Sequence, residues 1–285
     1  MIELNDWLSI NKTSGEGNSE ITLTASALEE VGERNASITI KTSTKRVLLN
    51  LNQVFPDYPP NNQIWYRTSD GYTLTSFQTG DFNVEILSNT YENGLGIITF
   101  ADDITSIGGG VFSECSSLVS ISIPDSVTSI GSYAFSKCSG LTNISLGNGL
   151  TELNDSVFSY CTSLVSITIP DSVTVFRRWV FQGCSSLSEI TIPDSVTDIG
   201  DFSFEDCSAL NSIIFGEGVT LLRDAIFSRC NNLTTITFKG MTAPRIDHLT
   251  FYNINSTGTL YYPQGSDYSE LLYRLSYYGW TGVPY

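Results

Sequence analysis

Charge is scarce in this 285-residue chain, and what there is leans one way. Charged residues make up 15% of it, with 14 Lys and Arg against 30 Asp and Glu, a formal net charge of −16. Phosphate recognition needs clustered Lys and Arg, so nucleic acid and anionic membrane surfaces are excluded as partners. A single histidine, His248, rules out every mechanism built on a His pair and most His-ligated zinc sites. No apolar run approaches the roughly 18 residues of a membrane helix, so membrane insertion is not expected. The start, Met1-Ile2-Glu3-Leu4-Asn5-Asp6, lacks the charged and apolar regions of a signal peptide. Nucleophile elbows, Gly-rich phosphate loops and zinc motifs are missing as well. The carboxylates of Asp102-Asp103 and Glu205-Asp206 are sequence neighbours facing water, not a positioned acid/base pair. The expectation is a protein that is not an enzyme and carries no cofactor. With charge so sparse, the polar surface must come from Ser, Thr and Asn, which favour turns and β-structure.

What is present is a repeat. The six cysteines stand at Cys115, Cys138, Cys161, Cys184, Cys207 and Cys230, every gap being 23 residues. Three residues before each is a phenylalanine: Phe112, Phe135, Phe158, Phe181, Phe204 and Phe227. Three residues after each is a leucine, Leu118 to Leu233, and three further an isoleucine, Ile121 to Ile236. A fixed period of 20–29 residues is the mark of a leucine-rich solenoid. One copy runs from Leu118 to Gly140. Val119–Ile123 alternates and is β-branched, so it reads as a short strand with Ile121 and Ile123 inward. Pro124-Asp125-Ser126 turns the chain. Val127 and Ile130 return to the core, and Phe135 and Cys138 close the coil. No coil can bury its own apolar face, so the coils must stack. The register also takes in Ile98 and Phe100 before the first copy. After the last it takes in Ile246, Phe251, Leu260, Tyr262 and Pro263, following one inserted residue. The pattern predicts about eight short parallel strands.

The phrase L-x-x-I-x-I-P-x-x-V-x-x-I-x-x-x-A-F-x-x-C, clearest in Leu118–Cys138 and Leu164–Cys184, resembles the BspA-like class of bacterial leucine-rich repeats. That resemblance implies a mainly β, right-handed, curved solenoid over about residues 97–263, with secretion or surface display and a role in adhesion.

Residues 1–54 have another texture, short alternating segments between turns. Trp7-Leu8-Ser9-Ile10 followed by Thr13-Ser14-Gly15-Glu16-Gly17 resembles the BACON domain, an immunoglobulin-like β-sandwich. The chain begins almost at the Trp-Leu strand, so an incomplete sandwich is expected, acting as a spacer or a glycan-binding module. Residues 55–61 read as a stiff Pro-rich linker. Residues 62–96 read as an N-terminal cap holding a hairpin over Gln63–Phe77 around Asp70-Gly71 and a further strand at Phe82–Ser88. In residues 264–285, Ser266 is a candidate N-cap for a helix carrying Tyr268, Leu271, Leu272 and Leu275. Tyr277, Tyr278 and Trp280 are expected to pack on the last coil, or else to form an aromatic sugar platform.

Candidate sites follow from the columns. Identical coil positions make the cysteines reduced, buried fillers; a line of thiols does not make a zinc tetrahedron. Asp125, Asp171, Asp194 and Glu217, with Asn148 in register, read as turn caps, a calcium ladder being the alternative. The strands' outward positions are mostly Ser, Thr and Asn, with Val119, Val165, Glu189 and Ile214 among them, a small, nearly uncharged face suited to weak or multivalent contact. The most variable column, just before the phenylalanines, contains Tyr133, Trp179 and Phe202, with Arg177 and Arg178 beside them. Trp and Arg are favoured anchors, so Tyr133, Arg177, Arg178, Trp179 and Phe202 form the candidate binding patch, unless the aromatics merely cover core. Three functional readings stay open. One is adhesion to a host or neighbour protein or other macromolecule. Another is glycan binding through the BACON-like segment or the C-terminal aromatics. The third is a structural spacer.

Overall fold

The computed structural model describes residues 59–75, 82–247, 249–255 and 257–285 in full, and the backbone of four strands before them. The chain divides into two compact units, residues 1–57 with 92–95, and residues 58–91 with 96–285. In the first, β1 (Leu8–Ile10) pairs antiparallel with β2 (Leu23–Ala25), and β3 (Glu33–Lys41) with β4 (Arg46–Val54). The remaining sandwich-like expectations for residues 1–58 lie outside the described residues.

The second unit opens on β5 (Gln63–Thr68). Asp70 accepts the Tyr72 N–H on its side chain and Gly71 sits at φ 75°, so the turn read from the sequence is present. Its hairpin is not: β5 pairs with other strands. β6 (Ile86–Glu92) returns into β7 (Leu95–Phe100) through Asn93-Gly94, both at positive φ (52° and 79°), the chemistry of a two-residue hairpin. β8 (Ser106–Ile107) follows, and then the repeats.

The repeats build two kinds of parallel strand pairing, and every coil but the Leu164 one contributes a longer strand. The longer strands are β9 (Leu118–Ser122), β11 (Asn143–Ser145), β14 (Glu189–Ile192), β16 (Ser212–Phe215), β18 (Thr235–Phe238) and β20 (Gly258–Tyr262). Between the Pro-Asp-Ser turn and the Phe, each coil adds a two-residue strand. These are β10 (Ser129–Ile130), β12 (Glu152–Leu153), β13 (Val175–Phe176), β15 (Asp198–Ile199), β17 (Leu221–Leu222) and β19 (Arg245–Ile246). The register is 23 residues until the inserted residue, where Leu221 pairs with Arg245 and Thr235 with Thr259.

Ile98 and Phe100 do belong to the stack, but β7 does not touch β9. β5 slots between them, antiparallel to both, pairing Ile64 with Ile98 and Tyr66 with Ile121. The cap is thus woven into the first sheet. At the other end Tyr268, not Ser266, holds the N-cap position of α1 (Ser269–Ser276), without a side-chain capping bond; the Ser266 hydroxyl donates to the Pro263 carbonyl. Tyr268, Leu271 and Leu275 are buried. After α1 the chain forms β21 (Trp280–Pro284), parallel to β20, so the tail beyond residue 263 rejoins the ladder as one more rung.

The phenylalanines stack as a continuous spine from Phe112 to Phe251. Neighbouring rings lie 5.2–6.1 Å apart, within 18° of parallel. The Phe112–Phe227 rings are fully buried. Each coil bends twice through left-handed residues. One column is Gly110, Tyr133, Ser156, Trp179, Phe202 and Ala225; the other is Glu114, Lys137, Tyr160, Gly183, Asp206, Arg229 and Asn253. Between these bends backbone N–H groups donate forward to the next coil, as Phe135 does to Val157 (2.9 Å) and Phe181 to Ser203 (2.8 Å). This rail of bonds runs through all six cysteine-bearing coils.

Candidate functional site

The cysteine column is structural chemistry. None of the six cysteines is in a disulfide, and all six are buried. Each of the last five donates its hydrogen to the carbonyl of the phenylalanine one coil back, at 3.0–3.2 Å. Burial pushes these five thiols up, Cys184 and Cys230 to about 12, so they are not nucleophiles at neutral pH. Among the described residues no group of three or more His, Cys, Asp or Glu is placed to hold a metal ion.

The variable column turns out to be a left-handed bend, where small residues, Ser156 and Ala225, are buried and larger ones, Tyr133, Trp179 and Phe202, reach outward. Trp179 stacks on Phe202 (6.0 Å, 12°), both half-buried. Arg177 pairs with Glu152 (2.7 Å) and Arg178 with Asp201 (3.2 Å), so both guanidiniums are already matched. Tyr133 is exposed but lies two coils away, with buried Ser156 between. The structure therefore brings Arg177, Arg178, Trp179 and Phe202 together and leaves Tyr133 apart. His248 lies outside the described residues. Glu205 does not face water as expected: it is buried, accepts from Gln182 and shares Arg229 with Asp206, whose carboxyl that guanidinium holds below the usual range.

The acidic column behaves unevenly. Asp125 accepts from the Asn148 N–H (2.8 Å) and Asp194 from the Glu217 N–H (3.0 Å), each capping the next coil's Gly-x-Gly turn. Asp171 makes no such bond, because the coil after it has Pro193-Asp194 where Gly-x-Gly would stand.

The Leu164 coil is exceptional in other ways. No strand forms over residues 165–169, so the longer ladder is cut into two sheets, one ending at β11 and the other starting at β14. Prolines stand at both seams of this coil. In register, the Gly216 N–H donates to Ile192 (2.9 Å) and the Lys239 N–H to Phe215 (3.0 Å). Pro170 and Pro193 have no N–H, so both seams of this coil lose a rung. The hydroxyls of Ser126 and Ser195 bond back to the preceding coil, whereas the equivalent Ser172 hydroxyl is buried without a partner. A shallow cleft of about 480 Å³ lies here on the strand face. Ser166, Thr168, Asp171, Glu189, Asp194 and Lys239 are among its lining residues. Three carboxylates face one ammonium. Sequence reasoning missed this cleft because every coil was taken as equivalent; the signal available was the pair of successive Pro-bearing turns.

The C-terminal aromatics separate. Trp280 is buried, its indole N–H donating to the Asn255 carbonyl (3.0 Å), and so cannot serve as a platform. Tyr277 is exposed rather than packed, and Tyr278 is half-buried.

The BspA type Leucine rich repeat region, in six copies, matches residues 70–188 and 180–270, and BACON, a putative N-terminal binding domain, matches residues 3–53. Among solved structures, a leucine-rich repeat protein of T. pallidum is 30% identical, with 64% of this chain and 80% of that one covered and a TM-score of 0.48. The pneumococcal vaccine antigen PcpA is 22% identical over 56% of this chain and 39% of that one, with a TM-score of 0.42. A leucine-rich repeat protein of Bacteroides ovatus is 15% identical over 80% of this chain and 100% of that one, with a TM-score of 0.28. No curated protein matches the chain. Six cysteine-phased coils, with repeat matches reaching from residue 70 to 270, place this chain in the BspA-type leucine-rich repeat family.

Proposed function

We propose that this chain is a non-enzymatic binding protein of the bacterial surface, mediating adhesion to a host or neighbour macromolecule through the strand face of its solenoid. The observation that carries the reading is the cleft at the Leu164 coil, where that Ser/Thr-rich face is opened and acidic. Asp171, Glu189 and Asp194 outnumber Lys239, so the cleft favours an extended, basic segment of a partner protein. Neighbouring rungs of Ser and Thr add weak polar contacts along the same segment. The Trp179–Phe202 stack, with Arg177 and Arg178, supplies a secondary contact.

The test is surface plasmon resonance of the full chain against a panel of immobilised extracellular-matrix proteins, alongside the double variant D171K/E189K. Both side chains are exposed, so the variant should melt like the parent. The reading expects micromolar binding to at least one basic partner, weakened at least tenfold in the variant, as rim charges steer association. Absence of any binding at micromolar concentration would instead favour a spacer, and equal binding by the variant would move the site elsewhere.

A further inference from the structure

We propose that a second cleft, between α1 and the last coils, is a binding site for neutral oligosaccharides. It measures about 620 Å³, in the size range of small-molecule sites, and is lined by Asp247, Phe251, Glu270, Tyr273, Arg274, Tyr277 and Tyr278.

The helix explains the arrangement. Leu271 and Leu275 face the core, which leaves Tyr273 and Tyr277, four apart, on the outer side. They are 64% and 70% exposed. Their rings meet edge to face at 5.1 Å, the Tyr277 hydroxyl donating to the Tyr273 hydroxyl. Other tyrosines are exposed singly, but these two are in ring contact and together line one cleft. At the same opening, Glu270 accepts from the Arg274 guanidinium (3.0 Å), and Asp247 brings a second carboxylate.

Aromatic faces beside planar hydrogen-bonding groups complement a sugar. The C–H face of a pyranose stacks on a ring, while its vicinal hydroxyls bond a carboxylate or a guanidinium. An apolar peptide side chain would instead desolvate the Asp247 carboxylate and the Glu270–Arg274 pair without offering either a hydrogen bond. Two carboxylates against one guanidinium also make the cleft net negative, so sialylated or sulfated glycans are disfavoured and neutral ones preferred. This site shares no residue with the strand-face cleft, so either can fail without the other.

The experiment is binding of the full chain to an array of immobilised neutral and sialylated oligosaccharides, with affinities for the responding neutral sugars from titration calorimetry. The variants Tyr273→Ala and Tyr277→Ala touch exposed rings only and should keep the parent's melting temperature. Binding to neutral but not sialylated oligosaccharides, weakened at least tenfold by either variant, is the expected result. No neutral oligosaccharide bound at millimolar concentration, or binding that both variants retain, overturns the proposal. Binding lost only when residues 1–57 are deleted also overturns it and assigns the activity to the N-terminal segment.

Discussion

Cys184 donates its thiol hydrogen to the carbonyl oxygen of Phe158, one coil back, at 3.2 Å. That oxygen also accepts the Cys161 N–H of its own coil (3.2 Å), so both of its lone pairs are used. The column needs a side chain small enough for a close-packed line, apolar enough to be buried, and still able to donate once. Cysteine satisfies all three, and the 23-residue phasing follows.

The thiols should be chemically silent until the protein unfolds. Native chain incubated with a thiol-reactive disulfide reagent at pH 8 is expected to show almost no release, and all six cysteines should react in urea. Prompt reaction of several thiols in the native state would contradict a sealed column.

The same burial makes stability fall in alkali. A thiol whose folded pKa lies above its unfolded value of about 8.5 stabilises the fold in full below that value. The contribution is then lost as pH climbs towards the folded value, about 12 for Cys184 and Cys230. Tyr268, also raised to about 12 by burial, acts in the same direction above pH 10. Urea midpoints should therefore be flat from pH 7 to 8 and decline steadily from pH 9 to 11. The Cys184→Ala variant, though less stable at pH 7, should show a shallower decline. An identical slope in both proteins would remove Cys184 from the account.

Phe181 lies in the middle of the aromatic spine, fully buried between Phe158 and Phe204, each 5.6 Å away. Phe181→Ala should cost about 3–5 kcal/mol, the range for buried Phe truncations. Phe251, in the last ring of the spine, stacks on Phe227 alone and should cost less, because the terminal coil can relax. Urea denaturation of both variants checks the order as well as the size.

Gly183 and Tyr160 form a matched pair. Gly183 sits at φ 72°, and a Cβ there would meet the Tyr160 ring at 2.5 Å. Gly183→Ala thus incurs a left-handed penalty of about 1–2 kcal/mol and a clash besides. In a Tyr160→Ala background only the first cost remains. The double-mutant cycle should return a coupling of at least about 0.5 kcal/mol, and additivity would show that the ring does not cover the glycine.

Much of this was legible from the phased columns, because a residue that recurs every 23 positions must meet its own copies. The Phe spine, the Cys line and the inserted residue before Ile246 all follow from that. What the period could not reveal are features carried by residues outside it. β5 entered the first sheet through pairing with residues 30–36 and 50–57 positions downstream, which no local pattern encodes. Trp179 and Phe202 looked like a surface choice, and only the backbone showed that their column is a left-handed bend. Tyr273 and Tyr277 could be placed on a helix but not on a side, since that depended on Leu271 and Leu275 finding the core.

The interrupted ladder at the Leu164 coil makes the last prediction. Ser212–Phe215 are held in register from both sides, by β14 and β18. Residues 166–169 form no strand, although Ile167 and Ile169 still face the core and are 8% and 6% exposed. Amide exchange depends on whether the N–H is bonded and how easily it opens, not on side-chain burial alone. The amides of Ile167, Thr168 and Ile169 should exchange far faster than those of Ile213, Ile214 and Phe215, with the forward-donating Phe158 and Phe181 amides among the slowest. Pro193→Ala returns an N–H to the seam opposite the Ile169 carbonyl, and protection around residues 167–169 should rise. Equal protection of the two segments in the parent chain would mean that the seam is closed, and the strand-face site would lose the feature that sets it apart.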